Sequence, residues 1–199
     1  MPLPEEKQNK ERRQRILECA VDLFVEKGYS NTTVREVIAK SEIGTGTFYN
    51  YFSDKEDILK TLLEEFADQI ISSVKNYYTK EKDLRKRFIE TKRLNMEAFA
   101  QNEKLTEIYC RVAGVSDVID NRLKHFEDRL IEFFTKNIEY GIKKGAFNDV
   151  SAVSVAYAIL AVEKYLLYKW IVLKTIGKEE MIEMVVTIHE MMAQGLLKK

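Results

Sequence analysis

Residues 32–52 read TTVREVIAKSEIGTGTFYNYF, from Thr32 to Phe52, and their spacing decides the fold. Thr33 followed three residues later by Glu36 is a capping-box pattern, in which a hydroxyl and a carboxylate satisfy the orphan N–H groups of a helix start. It predicts a first helix from Val34 to about Ser41, with Val34, Val37 and Ile38, then Ile43 in the turn, on one buried face. Gly44 and Gly46 are expected to supply the backbone freedom of the bend. A second short helix is predicted over residues 47–52. Phe48 and Phe52, four apart, point inward together and leave Thr45, Thr47, Tyr49, Asn50 and Tyr51 outward.

Two short helices across a tight turn, with hydroxyls, an amide and aromatics on the outer face of the second, suit a reader of the DNA major groove. The order T-T-x-R-E-x-x-A, a short turn with an aliphatic residue, G-T-F-Y-N-Y-F, and K-E two residues further on resembles the DNA-binding domain of the tetracycline-repressor (TetR) family of bacterial regulators. The resemblance covers roughly Glu11 to Leu63. It implies an all-α fold: an N-terminal three-helix DNA-binding domain with a helix-turn-helix over residues 9–54, and a C-terminal helical ligand-binding and dimerisation domain over 55–199. It also implies a homodimer on a palindromic operator in double-stranded DNA. Arg35, Thr45, Thr47 and Asn50 would face base edges, Thr33, Tyr49, Tyr51 and Lys55 would face phosphates, and Gly46 would allow close backbone approach. The chain departs from the family at three positions. A small residue is usual where Glu42 stands, a Ser where Gly44 stands, and often a Lys where Thr45 stands. An acid near the phosphates and one missing cation imply an altered operator or modest affinity on the same fold.

The rest of the chain agrees with a helical protein. Its 199 residues, 45% hydrophobic and 32% charged, suit a soluble globular protein of one or two domains, and two prolines with eight glycines favour helices. Lys+Arg and Asp+Glu are both 32, so net charge carries no sign of a nucleic-acid partner. Cys19 and Cys110 are isolated, without metal-ligand spacing, and read as small buried side chains. With no signal peptide, a reducing cytoplasmic setting is expected. The cluster Lys10, Arg12, Arg13 and Arg15 is either a solvated helix face or a basic arm on phosphates. From Arg13 to Lys27 the apolar set Ile16, Leu17, Ala20, Val21, Phe24 and Val25 repeats at helical spacing, and Gly28 sits where a left-handed cap would.

Beyond the reader, Ser53 to Asp57 opens a helix running through Ile58, Leu62, Phe66 and Ile70 toward Tyr77, long enough to link the reader to a separate body. Further helices are predicted over 83–101, 103–112, 117–144, 151–174 and 178–197. From Val150 to Ile176 the chain is apolar nearly all round, so that helix is buried on more than one side. Glu163, Lys164 and Lys169 argue against a membrane span. Burial between its own core and a second subunit fits, with Leu167, Val185 and Met192 in a four-helix interface. Phe66, Phe99, Tyr109, Phe126 and Tyr157, with Leu62 and Ile70, suit either a site for a small hydrophobic effector, such as a lipid, an acyl thioester or an aromatic drug, or an ordinary core. Glu163 either orients a polar ligand end or reaches solvent at a rim with Lys164.

No catalytic constellation appears. His125 and His189 lack metal-ligand spacing and are expected at a surface or interface. Glu127-Asp128 and Glu179-Glu180 are helix neighbours that cannot flank one bond. No metal, no cofactor and no enzymatic activity are expected. The resulting expectation is a ligand-responsive DNA-binding repressor; the competing one is a helical protein-interaction module, anchored by Tyr49 and Tyr51, without DNA binding.

Overall fold

A computed structural model describes residues 5–196, apart from the side chains at 5 and 76. Helix α1 (Glu5–Lys27) ends where Gly28 takes φ +82°, the left-handed position that stops a helix without steric cost only for glycine. Helix α2 (Val34–Ser41) opens with both halves of the capping box: the Glu36 N–H donates to Thr33 Oγ1 at 3.3 Å, and the Thr33 N–H donates to Glu36 Oε2 at 2.9 Å.

The bend after α2 differs from expectation. The left-handed residue is Glu42, at φ 55°, while Gly44 is an extended N-cap at φ −60° and Gly46 lies inside α3 (Thr45–Tyr49). A helix that must turn sharply needs a left-handed residue just past its end, and this chain puts a glutamate there at a cost of about 1–2 kcal/mol. Arg15 reaches over to pair with the Glu42 carboxylate. Phe48 and Phe52 are both buried beneath the reader, as their spacing required, although α3 ends sooner than expected.

Asp54 caps α4 (Lys55–Lys80), accepting from the Asp57 N–H at 2.7 Å. Then follow α5 (Leu84–Gln101), α6 (Glu103–Arg111), α7 (Asp117–Lys143), α8 (Ala152–Ile171) and α9 (Lys178–Leu196). Asp83, Ser116 and Ser151 accept first-turn N–H groups of α5, α7 and α8. In the body, α5 lies against α4 and α9, and α8 against α7, α6 and α9. Helix α1 packs on α2 and on α6, so α6 joins the reader to the body alongside α4. Asp22 of α1 ties the two sides, accepting from Lys104 at 2.8 Å and lying 3.4 Å from Lys40. The sharp return from α7 to α8 seats the Phe147 ring against Gly141, where an added Cβ would lie 2.2 Å from the ring.

The α8 sequence is apolar on two faces, and the structure divides them. Ala156, Ile159, Leu160, Leu167 and Trp170 enter the protomer's own core, while Val153, Tyr157, Tyr165 and Tyr168 stand exposed. Three expectations change as a result. Leu167 and Val185, 1% and 0% exposed, are core residues of one protomer rather than interface residues, and Met192 is half-buried. Tyr157, 56% exposed, is on the outer face and not among the interior aromatics. Periodicity shows that such a helix has two apolar stripes but not which stripe meets its own core. Among the described residues, no helix is long and apolar enough to cross a membrane.

Candidate nucleic-acid interface and interior charge pair

The reader presents a compact polar face. Phe48 anchors α3 from below, with Phe52 6.2 Å away and the Tyr49 ring edge-on at 5.4 Å. Thr45, Gly46 and Asn50 are exposed, and Tyr49 is 56% exposed. Nothing lies within 4 Å of where a Cβ of Gly46 would be, so another backbone can approach there. Thr47 and Tyr51 are only half-exposed, and the Tyr51 hydroxyl donates to Asn9 Oδ1 at 3.0 Å. On α2, Arg35 is exposed, whereas Thr33 spends its hydroxyl on the capping box.

Lys55 does something sequence spacing could not show. Its ammonium donates to the carbonyls of Tyr29 at 2.7 Å and Thr32 at 2.8 Å, with Ser30 at 3.4 Å, and lies 4.3 Å from the Tyr29 ring centroid. An ammonium has three protons, and here each has a partner. Lys55 therefore clamps the α1–α2 loop to the start of α4, which differs from the phosphate contact expected of it, and burial holds its pKa below the usual lysine value. Most nearby cations are also neutralised: Arg13 by Glu65, Arg15 by Glu42, Lys27 by Glu36 and Lys40 by Asp22. Lys10, Arg12 and Arg35 make no ion pair among the described residues, which leaves Lys10 and Arg12 free for phosphates and Arg35 free for the base edge expected of it.

Inside the body the expected ligand set separates. Leu62, Phe66, Ile70, Phe99, Tyr109 and Phe126 are all buried. Their rings pack on one another, with Phe66 5.3 Å from Phe99 and 5.7 Å from Phe126, and Tyr109 4.8 Å from Phe126. Glu163 is not at a rim. It is 1% exposed, accepts from Asn95 Nδ2 at 2.9 Å and faces Lys92 Nζ at 3.7 Å, itself 2% exposed and 3.6 Å from the Phe134 ring centroid. Burial raises the Glu163 pKa and lowers that of Lys92. Lys164 instead reaches Glu127, which also accepts from the Tyr109 hydroxyl.

His189 was expected at a surface or interface and is instead fully buried within the protomer. Its Nδ1 lies 2.7 Å from the Val185 carbonyl, which can only accept, so the proton sits on Nδ1 and Nε2 has no partner. Burial, then the neighbouring Lys92 charge, depress its pKa to about 4. Lys92, Asn95, Glu163 and His189 thus form a polar cluster between α5, α8 and α9. From sequence, Glu163 had been singled out as an ionisable residue in an apolar helix and His189 only as a surface or interface residue; Lys92 carried no such signal on polar α5. Cys110 is buried and Cys19 half-buried, both free. No cluster of three or more His, Cys, Asp or Glu among the described residues is placed to hold a metal.

Residues 16–62 match the sequence pattern of bacterial regulatory proteins of the tetR family. A solved TetR-family transcriptional regulator from Syntrophomonas wolfei str. Goettingen is 68% identical, with a TM-score of 0.92 over 95% of this chain and 98% of that one. The chain belongs to the TetR family. Its reader and helical body are thus those of a TetR-family transcriptional regulator. The HTH-type regulator YuxN of Bacillus subtilis is 31% identical over 58% of this chain, which spans about a third (35%) of that relative's length. The FadR regulator of B. subtilis, solved in complex with stearoyl-CoA, shares the TetR-family fold at a TM-score of 0.80 and 16% identity, over 92% of this chain and 98% of that one.

Proposed function

We propose that the chain is a ligand-responsive repressor, acting as a homodimer on a palindromic operator and released by a small hydrophobic effector held in the body. The observation that carries the reading is the α3 face: Thr45, Gly46, Tyr49 and Asn50 stand exposed on a two-helix unit whose Phe48 is completely buried. Such a face enters a major groove with hydroxyl and amide groups at base edges. Tyr49, Lys10 and Arg12 supply backbone contacts, the exposed Arg35 reaches a base edge, and Thr47 and Tyr51 border the face.

Dimerisation supports the same reading. Val153, Tyr157, Tyr165 and Tyr168 on α8, with Met184 and Met191 on α9, leave a shared apolar face uncovered, and a second copy covers it isologously. Two recognition helices must sit about 34–36 Å apart to use successive grooves. An effector that displaces α4 or α6 alters that separation. Leu62, Phe66 and Ile70 form the α4 wall against the effector, backed by Phe99, Tyr109 and Phe126. That B. subtilis FadR was solved with stearoyl-CoA agrees with a body that admits apolar ligands. The TetR-family relatives are transcriptional regulators, which supports a role other than catalysis, in the cytoplasm with the chromosome.

Selection of duplexes from a randomised library by the purified protein tests the reading. The enriched pool should converge on an inverted repeat. Tyr49→Ala should weaken binding similarly on all sequences, and Asn50→Ala should cost about 1–3 kcal/mol and relax preference at one position. A pool no richer than the input would sink the DNA reading and leave Tyr49 as a protein contact.

A further inference from the structure

Glu42 combines a strained backbone with the most exposed ion pair of the reader. Among the described residues, Glu42 and Lys174 are the only non-glycine residues at positive φ, and Glu42 sits at φ 55°, ψ 28° just past the end of α2. Glycine takes this conformation without steric cost. The pair with Arg15 does not offset the strain, because its side chains are 53% and 75% exposed and ion pairs in water contribute little stability. The Arg13, Lys27 and Lys40 pairs, by contrast, have side chains no more than 42% exposed.

The acids of those three pairs each have another structural task. Glu36 closes the capping box of α2. Asp22 ties α2 to α6 through Lys40 and Lys104. Glu65 holds Arg13 in place, with its guanidinium 5.7 Å from the centroid of the buried Phe52 ring. Arg15 and Glu42 make no other side-chain hydrogen bond or ion pair among the described residues. Glu42 stands three residues before Thr45, so it lies within about 11 Å of the exposed α3 face. A guanidinium drawn onto it therefore sits beside the surface offered to the groove. The planar fork of arginine fits a phosphate as well as a carboxylate, and duplex DNA carries one negative charge per about 1.7 Å of its axis. Arg15 can exchange one anion for the other, but each such contact must first break the pair with Glu42 and then leaves that carboxylate facing DNA.

We infer that Arg15 is a further phosphate contact of the reader, held back by Glu42, whose carboxylate acts as a brake on binding to any duplex. The inference rests on the DNA reading above and deepens it, since it concerns how tightly the reader holds DNA. Phosphates carry no base sequence, so the brake acts alike on operator and other DNA.

Fluorescence anisotropy of the full-length protein tests this on the selected duplex and on an unrelated duplex of equal length, from about 50 to 200 mM salt. Glu42→Gln keeps the side-chain shape and frees Arg15. It should tighten binding to both duplexes by at least about fivefold at the low-salt end and steepen the log–log salt dependence by about 0.9 for each reader, with the thermal midpoint little changed. The wild-type slope is shallower because salt also weakens the pair that must be broken. Adding Arg15→Gln to Glu42→Gln removes the released cation, so affinity and slope should return to about the wild-type values. Binding by Glu42→Gln that equals wild type would overturn the brake, and weaker binding would overturn it by showing that Glu42 positions Arg15 for its phosphate. A double variant that keeps the gain would overturn the role of Arg15, because the gain would then come from loss of the acid alone. Wild type and variants that bind no duplex would sink the DNA reading together with the brake, whereas duplex binding indifferent to Glu42→Gln sinks the brake alone.

Discussion

Replacing Lys92 by methionine keeps the apolar stem and removes the buried charge, leaving the Glu163 carboxylate with Asn95 alone. At the 3.7 Å separation of this pair, an effective dielectric of about 20 gives an attraction of about 4–5 kcal/mol. Desolvating two ions costs a similar amount, so the intact pair contributes little net stability, whereas breaking it costs about 3–5 kcal/mol. In a chain of this length, that lowers the thermal midpoint by about 6–20 °C. The loss depends on pH. Burial already raises the Glu163 pKa, and Lys92 is the main group holding it down. Without Lys92 the folded state keeps a proton that the unfolded carboxyl releases, so stability falls as pH rises above the unfolded value of about 4.5, by at most about 1.4 kcal/mol per unit. Urea unfolding followed by circular dichroism at pH 5.5 and pH 8 should show the larger loss at pH 8. Lys92→Met with Glu163→Gln should return to within about 1 kcal/mol of wild type, with a flatter pH response. Equal losses at both pH values, or a double variant no more stable than the single, would refute the assignment of Glu163 as a buried carboxylate balanced by Lys92.

Three other outcomes follow from the geometry. Lys55→Met should cost about 1–3 kcal/mol of stability by leaving loop carbonyls without their donor, while the salt dependence of operator binding keeps its slope; a slope lower by about one unit would return Lys55 to a phosphate. Gly141→Ala should destabilise by about 1–3 kcal/mol despite alanine's better helix propensity, because its methyl overlaps the Phe147 ring, and Phe147→Leu in the same chain should recover part of the loss in thermal unfolding. His189, held at about 4 when folded against 6.5 unfolded, contributes stability that is complete above pH 6.5 and lost as pH falls toward 4, in total about 3 kcal/mol. Glu163 gives the opposite slope over part of that range, so the comparison is with His189→Leu, whose difference from wild type should shift toward the variant at low pH; a constant difference from pH 4.5 to 7.5 would exclude it.

The reader was legible in the sequence because its determinants are local. The Thr33–Glu36 box, the Phe48–Phe52 pair and the Gly28 stop each involve residues within four positions, the range over which helix geometry brings side chains together. Even there, which residue of the bend is left-handed was decided by packing, with Glu42 in the role expected of a glycine. The body behaved differently. Helix positions in the body followed from periodicity and caps, but the side-chain roles did not. Lys55 answers to the Thr32 carbonyl 23 residues away, and Glu163 to Asn95 at 68. The burial of His189 follows from α9 packing on α5. Leu167 and Tyr157 lie on one helix apolar on both faces, and only the position of α7 and α9 decides which of them is core. Local spacing specifies which helices form and which faces are apolar, because those depend on the rotation of a single chain. Where a charge finds its partner and which apolar face remains open depend on how separate helices meet, and only the tertiary structure contains that.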